Sequence, residues 1–262
     1  MTRVISAIVL GGIVLAVLLF APPVFSLILI AGIVLAALKE LSVMLSEAGA
    51  GFSYPWAVLG AGCLLAGVSL GYDLGLAAGA VAAVLVMSLP PVFRGVFQGA
   101  SHQIAGGLFS VIVVGWTLAH AMLYFRLPHG RIALLFPLAI VWVTDTSAFY
   151  VGSAFGRRKL APRISPNKTV EGFIAGLLSS CAVALAFRYL SPLAWSLPFL
   201  LVSGVILSAV GQLGDLVESA IKRDAGVKDS GALIPGHGGV LDRIDSVVFT
   251  LPVFYYLVRW VL

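Results

Sequence analysis

Apolar runs long enough to cross a bilayer recur along the whole chain. The hydrocarbon core of a bilayer is about 30 Å thick, and a helix needs about 20 residues to cross it. Only helices and closed barrels satisfy the backbone hydrogen bonds in lipid, and the sequence shows no ten-residue alternating strands of a barrel. We therefore predict an all-α integral membrane protein, a polytopic bundle of about nine transmembrane helices. Pro, Gly and charged residues bound these helices near 4–20, 24–45, 55–71, 74–91, 104–125, 132–151, 170–190, 196–218 and 244–261.

Composition excludes an ordinary soluble domain. Of 262 residues, 60% are hydrophobic and 10% are charged, whereas soluble domains carry about 25% charged residues. Cys63 and Cys181 lie alone in separate apolar runs, so neither a disulfide framework nor a zinc site is indicated. Glycines at 67, 71, 75 and 79 favour close packing of two helices over a dimer face. With no internal repeat and no linker, residues 1–262 are predicted to form a single polytopic domain.

The distribution of Lys and Arg predicts the orientation in the membrane. Nine crossings place the amino terminus and two long connections, near 152–169 and 219–243, on one face. Twelve of the sixteen Lys and Arg residues fall on that face, which assigns it to the cytoplasm. We therefore expect a multi-pass protein of the cytoplasmic (inner) membrane. The net charge of +5 is largely topological, and no nucleic acid partner is expected.

Four aspartates lie at membrane depth. Asp145 falls inside the sixth apolar run, Asp215 near the end of the eighth, and Asp242 and Asp245 at the start of the ninth. An ionised carboxylate within a transmembrane segment costs roughly 2.5–3.5 kcal/mol, so it needs a partner or a water-filled cavity. A functional site is therefore the leading hypothesis, with an internal salt bridge as the alternative for Asp145.

The spacing of these acids suggests a metal site. Asp242 and Asp245 are three residues apart, which places them on one helix face about 5–6 Å apart at Cβ. Two like charges this close repel each other unless a cation lies between them, although both could instead complement a positive helix terminus. Asp215 offers a third oxygen donor, and oxygen ligands suit Mg²⁺. We predict that Asp215, Asp242 and Asp245 hold Mg²⁺, with Asp145 and Asp229 as further ligands or supporting residues.

Basic residues and glycines surround the predicted metal site. A metal ringed by cations suits a polyphosphate, although juxtamembrane Lys and Arg also serve topology or lipid headgroups. Glycines in the run Pro235–Gly239 allow the backbone amides to form an anion-binding nest, and a turn entering the ninth helix is the alternative. The candidate phosphate ligands are Lys222, Arg223, Lys228, His237, Gly238, Gly239 and Arg243.

The other long connection ends in a second polar stretch, Ser165–Gly172. Helix capping explains much of it, because Ser, Asn and Thr are good caps and an acid suits the first turn. Lys168 is unfavourable at the positive end of a helix unless an anion compensates it, which favours a nearby phosphate. The candidate substrate-binding residues of this stretch are Ser165, Asn167, Lys168 and Glu171.

A family resemblance joins these motifs. The pattern Ser219-x-x-Lys222-Arg223-x-x-x-x-Lys228-Asp229 through Pro235-x-His237-Gly238-Gly239-x-x-Asp242-Arg243-x-Asp245 closely resembles the signature of phosphatidate cytidylyltransferases, and Asp145 with Ser165–Gly172 resembles an upstream region of that family. The resemblance implies that CTP and phosphatidic acid give CDP-diacylglycerol and pyrophosphate at the cytoplasmic face, with Mg²⁺ required. It also makes a homodimer plausible, and leaves open a second, monovalent cation.

The resemblance and the residues together suggest roles. Asp215, Asp242, Asp245 and Lys222 are the candidate catalytic residues. Contacts with the CTP phosphates or the departing pyrophosphate are predicted for Lys222, Arg223, Lys228, His237 and Arg243. Contacts with the phosphatidate headgroup are predicted for Lys168, with Ser165 and Asn167. Two other classes of enzyme remain open, a CTP-dependent lipid kinase and a cytidylyltransferase for another lipid phosphate. A membrane transporter would place its polar groups near the midplane, whereas here they gather at one face. A structural membrane scaffold would bind no nucleotide.

Overall fold

The structure is a computed structural model that describes residues 2–70, 73–95, 97–233 and 238–261. Most of these residues lie in helices. A π-helical segment, Val111–Trp116, joins the α-helices Ala100–Ser110 and Thr117–Tyr124 into one continuous helix. The predicted all-α class is confirmed. In chain order the elements are α1 (Thr2–Phe20), α2 (Pro23–Glu47), α3 (Tyr54–Leu70), α4 (Asp73–Arg94), α5 (Ala100–Ser110), α6 (Thr117–Tyr124), α7 (Gly130–Phe155), β1 (Lys159–Ala161), β2 (Ser165–Thr169), α8 (Val170–Leu190), α9 (Leu197–Asp224) and α10 (Leu241–Val261).

The helices have the length and composition of membrane spans. Two described apolar segments, Gly11–Phe20 and Tyr54–Leu70, are shorter than the seven that are long enough to cross a bilayer. Large apolar side chains such as Ile28, Leu85 and Leu178 remain exposed, as expected where lipid covers them. The chain is a multi-pass membrane protein. The seven long segments within the described residues are Pro23–Glu47, Leu74–Arg94, Ala100–Tyr124, Gly130–Phe155, Val170–Leu190, Leu197–Asp224 and Leu241–Val261.

Both long connections are shorter than predicted. Helix α7 continues to Phe155 and α9 to Asp224, so the connections cover 156–169 and 225–240. Neither Gly nor Pro interrupts the end of α9, and Lys222 and Arg223 suit the negative end of its dipole. The first connection also contains an unpredicted antiparallel hairpin, in which β1 pairs with β2.

The chain divides into two compact units. The first consists of Met1–Leu123 and Ile221–Arg243, and the second of Tyr124–Ala220 and Ile244–Leu262. Helices α9 and α10 each begin in one unit and end in the other. The predicted single-domain organisation stays a prediction.

Glycines bring α3 and α4 together in the first unit. A Cβ on Gly67 would clash with the carbonyl of Gly75, and a Cβ on Gly79 would lie 2.6 Å from the carbonyl oxygen of Cys63. These three glycines therefore allow the two helices to approach backbone to backbone, which supports the packing interpretation. Gly71 lies outside the described residues.

Buried polar contacts join α7, α8 and α9 in the second unit. Thr144 Oγ1 donates to Ser208 Oγ at 3.0 Å, and Gln212 Nε2 donates to the carbonyl oxygen of Phe173 at 3.3 Å. A Cβ on Gly172 would lie 2.6 Å from the carbonyl oxygen of Ala148, so α7 and α8 lie close together where α8 begins. These contacts fix α7 and α9, which carry Asp145 and Asp215, against α8, which directly follows strand β2.

Candidate functional site

Three carboxylates converge in the second unit. Asp215 and Glu218 lie three residues apart on α9, and Asp245 lies in the first turns of α10. One carboxylate oxygen from each of them lies within 4.8 Å of the others. At that separation, two ionised carboxylates repel each other by about 3.5 kcal/mol at an effective dielectric constant of about 20. The cluster therefore fits a divalent cation, because oxygen ligands and concentrated negative charge are what Mg²⁺ requires.

Gly214 explains how α9 and α10 approach each other here. It is buried, and a Cβ on it would lie 3.0 Å from the carbonyl oxygen of Asp245 and would clash with the ring of Phe249. One turn earlier, a Cβ on Gly211 would make only ordinary contacts, the nearest at 3.4 Å. The missing side chain at residue 214 is therefore what allows the carboxylates of the two helices to meet.

Lys168 contacts the cluster from strand β2. Its Nζ lies 2.6 Å from Asp215 Oδ2, and Ser219 Oγ donates to Asp215 Oδ1 at 3.3 Å. The anion that compensates Lys168 within the chain is thus a carboxylate. The predicted contact between Lys168 and a phosphate stays a prediction.

Local capping holds the hairpin that carries Lys168. Thr169 Oγ1 caps α8 by accepting from the amide of Gly172 at 3.1 Å. The Glu171 carboxylate accepts from the amides of Arg157 and Arg158 at 3.0–3.2 Å, so this residue orders the start of the hairpin. The other two candidates for headgroup binding lie on the same strand: Ser165 pairs with Ala161, and Asn167 is exposed.

Asp145 lies near this cluster on α7. Its side chain is exposed, and the charges of Asp215 and Lys168 both act on it. An exposed carboxylate within a transmembrane helix fits a water-filled cavity better than lipid. This position fits both roles predicted for Asp145, as a further metal ligand and as a supporting residue.

Asp242 has a different set of partners, all in the first unit. Its Oδ1 lies 2.7 Å from Lys222 Nζ. Its Oδ2 accepts from the amide and the hydroxyl of Ser230, at 3.0 and 2.9 Å, and from the amide of Gly239 at 2.8 Å. Among the described residues, the group of carboxylates close enough to share one ion contains Asp215 and Asp245 but not Asp242. The predicted trio of metal ligands therefore stays a prediction, and Glu218 takes the third place in the observed cluster.

Backbone amides at the described end of the glycine-rich loop already have acceptors within the protein. Gly238 adopts a left-handed conformation with φ of +79°, as its predicted turn requires. The next three amides, those of Gly239, Val240 and Leu241, already donate to carboxylates of the protein itself. His237 lies outside the described residues. Any phosphate contact made by Gly238 and Gly239 stays a prediction.

The remaining candidate residues in the second connection and on the helix turns beside it are exposed. Arg223 donates to the carbonyl oxygen of Val227 at 3.1 Å, and Lys228, Asp229 and Arg243 lie at the surface. This exposure leaves their side chains accessible to a soluble nucleotide.

Glu218 and Gly214 were not among the site residues predicted from the sequence. Glu218 follows Asp215 at the same three-residue spacing that drew attention to Asp242 and Asp245, so the same argument applied to α9 would have found it. Gly214 gave no such signal, since its importance depends on a neighbouring helix.

Comparison with known proteins identifies the family. The family model described as "Cytidylyltransferase family" matches residues 1–261. The chain belongs to this family. The charged stretch from Ser219 to Asp245 predicted membership of this family, and the match of the family model confirms that resemblance.

Curated relatives of this cytidylyltransferase-family protein carry a more specific name. The chain is 47% identical over 129 residues to a protein named phosphatidate cytidylyltransferase from Bacillus subtilis (strain 168), and 49% identical over 150 residues to one of the same name from Staphylococcus aureus (strain COL). These matches cover 49% and 57% of this chain, and 48% and 57% of the relatives. The chain thus spans about half the length of the curated relatives it matches.

Proposed function

We propose that this protein is a CTP:phosphatidate cytidylyltransferase, which makes CDP-diacylglycerol and pyrophosphate from CTP and phosphatidic acid. The observation that carries the proposal is the cluster of Asp215, Glu218 and Asp245 beside Lys168, in a multi-pass member of the cytidylyltransferase family. The name shared by its relatives supports the same substrates.

In the proposed reaction, a phosphate oxygen of phosphatidic acid attacks the α-phosphorus of CTP. A new P–O bond forms there, the bond between the α-phosphorus and the bridging oxygen breaks, and pyrophosphate leaves. A Mg²⁺ ion bound by Asp215, Glu218 and Asp245 would supply charge neutralisation on the triphosphate. Positioning and electrostatic stabilisation supply most of the acceleration in phosphoryl transfer, so the fixed charges of the chain matter more than any covalent step.

The cations of the chain have proposed partners on each substrate. Lys222, Arg223, Lys228, His237 and Arg243 contact the CTP phosphates, with the loop glycines Gly238 and Gly239. Lys168, with Ser165 and Asn167, contacts the phosphatidate headgroup, and Glu171 orders the hairpin that presents them. The contact of Lys168 with Asp215 supports this assignment, because a cation beside the acid cluster would lie close to the reacting phosphates.

Asp242 has two proposed roles. Its ion pair with Lys222 supports the first, in which Asp242 orients the Lys222 ammonium towards the triphosphate. In the second, Asp242 would be a ligand of the metal, as the family resemblance implies. Asp145 and Asp229 are proposed as supporting or additional metal residues.

The setting of the reaction is part of the proposal. The protein lies in the cytoplasmic (inner) membrane with its active site facing the cytoplasm, takes CTP from solution and phosphatidic acid from the lipid, and functions as a homodimer without a nucleic acid partner. Mg²⁺ is the proposed cofactor, with a second, monovalent cation left open.

Product analysis of the purified protein tests this function. The protein is incubated with Mg²⁺, phosphatidic acid and CTP labelled either at the α- or at the γ-phosphate. Label from the α-phosphate should appear in CDP-lipid, and label from the γ-phosphate in pyrophosphate. Transfer of the γ-label to lipid would instead identify a kinase, and no conversion of CTP would leave the transporter and scaffold hypotheses.

A pair of matched variants links the reaction to the cluster. Asp245→Asn should reduce product formation at limiting Mg²⁺ by at least about tenfold, whereas Asp224→Asn, which changes an exposed carboxylate at the end of α9, should not. Equal activity in the two variants contradicts the assignment of the site.

A further inference from the structure

Glu40 is a buried carboxylate on α2, far in sequence from every candidate residue. Only 8% of its surface is exposed. Its Oε1 accepts from the amide of Val240 at 2.8 Å, and its Oε2 accepts from the amide of Leu241 at 2.8 Å and from Ser230 Oγ at 3.0 Å. Both amides lie where α10 begins, and such orphan donors at a helix start need acceptors. Glu40 therefore caps α10 from another helix.

The hydrogen bonds of Glu40 extend to Asp242. Ser230 Oγ lies 3.0 Å from Glu40 Oε2 and 2.9 Å from Asp242 Oδ2, so a single hydroxyl proton serves both carboxylates. Asp242 in turn binds Lys222. One continuous network thus joins a carboxylate of α2 to the Asp–Lys pair of the charged stretch.

Two glycines of the stretch pack against the Glu40 carboxylate. A Cβ on Gly231 would lie 2.9 Å from Glu40 Oε1, and a Cβ on Gly239 would lie 2.5 Å from Glu40 Oε2. Glycine is required at both positions because the backbone passes directly over a buried carboxylate. The same contacts explain part of the glycine pattern that the sequence suggested for phosphate binding.

We propose that Glu40 is a positioning residue for the reaction: it holds residues 230 and 239–241 in place and thereby orients Asp242 and its partner Lys222. This inference rests on the proposed function, since it assigns Asp242 and Lys222 to the catalytic site. It adds a residue of α2 to a site otherwise built from the later part of the chain. A buried carboxylate is costly in a membrane protein, and its three donors offset that cost only while the loop keeps this arrangement.

The substitution Glu40→Gln tests the proposal. The amide that replaces the carboxylate offers one acceptor oxygen, so its NH₂ group must face one of the two backbone N–H groups, those of Val240 and Leu241. Glu47→Gln is the matched control, because Glu47 is exposed on the last turn of the same helix. In the two proposed roles, Asp242 and Lys222 act on Mg²⁺ or on the CTP triphosphate, and losing one hydrogen bond to a charged group changes affinity by about 10- to 100-fold. We expect Glu40→Gln to raise the concentration of CTP, added with equimolar Mg²⁺, for half-maximal activity by at least about tenfold, and Glu47→Gln to leave it unchanged.

The dependence on Mg²⁺ and CTP, added together, separates positioning from a merely structural role. A variant that is only less stable has fewer active molecules, which lowers the maximal rate without moving the half-saturating concentration of Mg²⁺ and CTP. An unchanged half-saturating concentration in Glu40→Gln therefore overturns the proposal. If that variant fails to fold, Ser230→Ala, which removes only the shared hydroxyl, should show a smaller shift in the same direction, and no shift overturns the proposal equally.

Hydrogen exchange keeps this test independent of the reaction. In Glu40→Gln the amides of Val240 and Leu241 should exchange at least about tenfold faster than in Glu47→Gln, because they lose a charged acceptor. If the wild-type protein makes no CDP-lipid, the proposed function has failed, and the exchange rates alone then decide whether Glu40 holds the segment. Equal exchange rates of these amides in the two variants would contradict the role of Glu40 in holding the segment.

Discussion

Gly214 provides the sharpest test of the acid cluster, through the substitution Gly214→Ala. The added methyl would lie 3.0 Å from the carbonyl oxygen of Asp245, whereas ordinary contacts begin at 3.4 Å. The backbone of α10 must therefore retreat by about 0.4 Å, and the ring of Phe249, which lies closer still, must move further. Overpacking of this kind costs about 1–3 kcal/mol, offset in part by the better helix propensity of Ala, about 1 kcal/mol.

The substitution should weaken metal binding as well as affect folding. Mg²⁺ binds oxygen at about 2.0–2.1 Å, so two ligands on opposite sides of one ion lie about 4.2 Å apart. The three carboxylates already lie up to 4.8 Å from one another, and metal–ligand distances tolerate errors of only about 0.2 Å. An opening of about 0.4 Å between α9 and α10 should therefore weaken Mg²⁺ binding by at least about tenfold.

Gly211→Ala is the matched control for this substitution. It adds the same methyl group on the same helix, but its nearest contacts, with Thr250, Val141 and Ser246, lie at 3.4–3.6 Å. The assay measures the Mg²⁺ dependence of CDP-lipid formation, together with the rise in thermal midpoint that Mg²⁺ gives the purified protein. We expect Gly214→Ala to lose most of this rise and Gly211→Ala to keep it. A folded Gly214→Ala variant with the wild-type Mg²⁺ response would refute the reasoning.

Three further substitutions test the parts of the site separately. Asp245→Asn removes one ligand and should reduce the rate at limiting Mg²⁺ by at least about tenfold, with a smaller thermal response to Mg²⁺; an unchanged response counts against the metal site. Lys168→Ala removes the ammonium beside Asp215 and should raise the KM for phosphatidate by about 10- to 100-fold, because a hydrogen bond to a charged group contributes about 1.5–3 kcal/mol. Lys159→Ala, on the exposed end of the same hairpin, is the control and should leave this KM unchanged. Thr169→Ala removes the cap of α8 and should lower the free energy of unfolding by about 0.5–2 kcal/mol, seen as a lower thermal midpoint in detergent; an unchanged midpoint contradicts the capping role.

The sequence predicted the helices well because lipid leaves few options. A run of about 20 apolar residues has no stable conformation in a bilayer other than a helix, so element type and approximate position follow from local composition. The ends of helices were harder to place. Helix α9 continues to Asp224 through polar residues that looked like a connection, since nothing in the bilayer argument limits a helix that extends beyond the lipid.

The site was predicted in part. Asp215 and Asp245 were singled out because carboxylates at membrane depth are costly, and the structure places them together with Glu218. The charge of Asp242 is instead stabilised by an ion pair with Lys222 and by hydrogen bonds from Ser230 and Gly239. Sequence spacing alone could not show these partners. Residues three apart share a face of a helix, but whether they share a ligand depends on what packs against that face.

The sequence alone determined the membrane-spanning helices, the concentration of charge in two connections and the family. Each of these depends on residue types that are adjacent in the chain. The tertiary structure decided which carboxylates meet. Gly214 allows α9 and α10 to bring Asp245 to Asp215 and Glu218, and Glu40 on α2 caps α10 about 200 residues later in the chain. These contacts depend on the close approach of helices that are distant in sequence, and no local pattern encodes a distance between such helices.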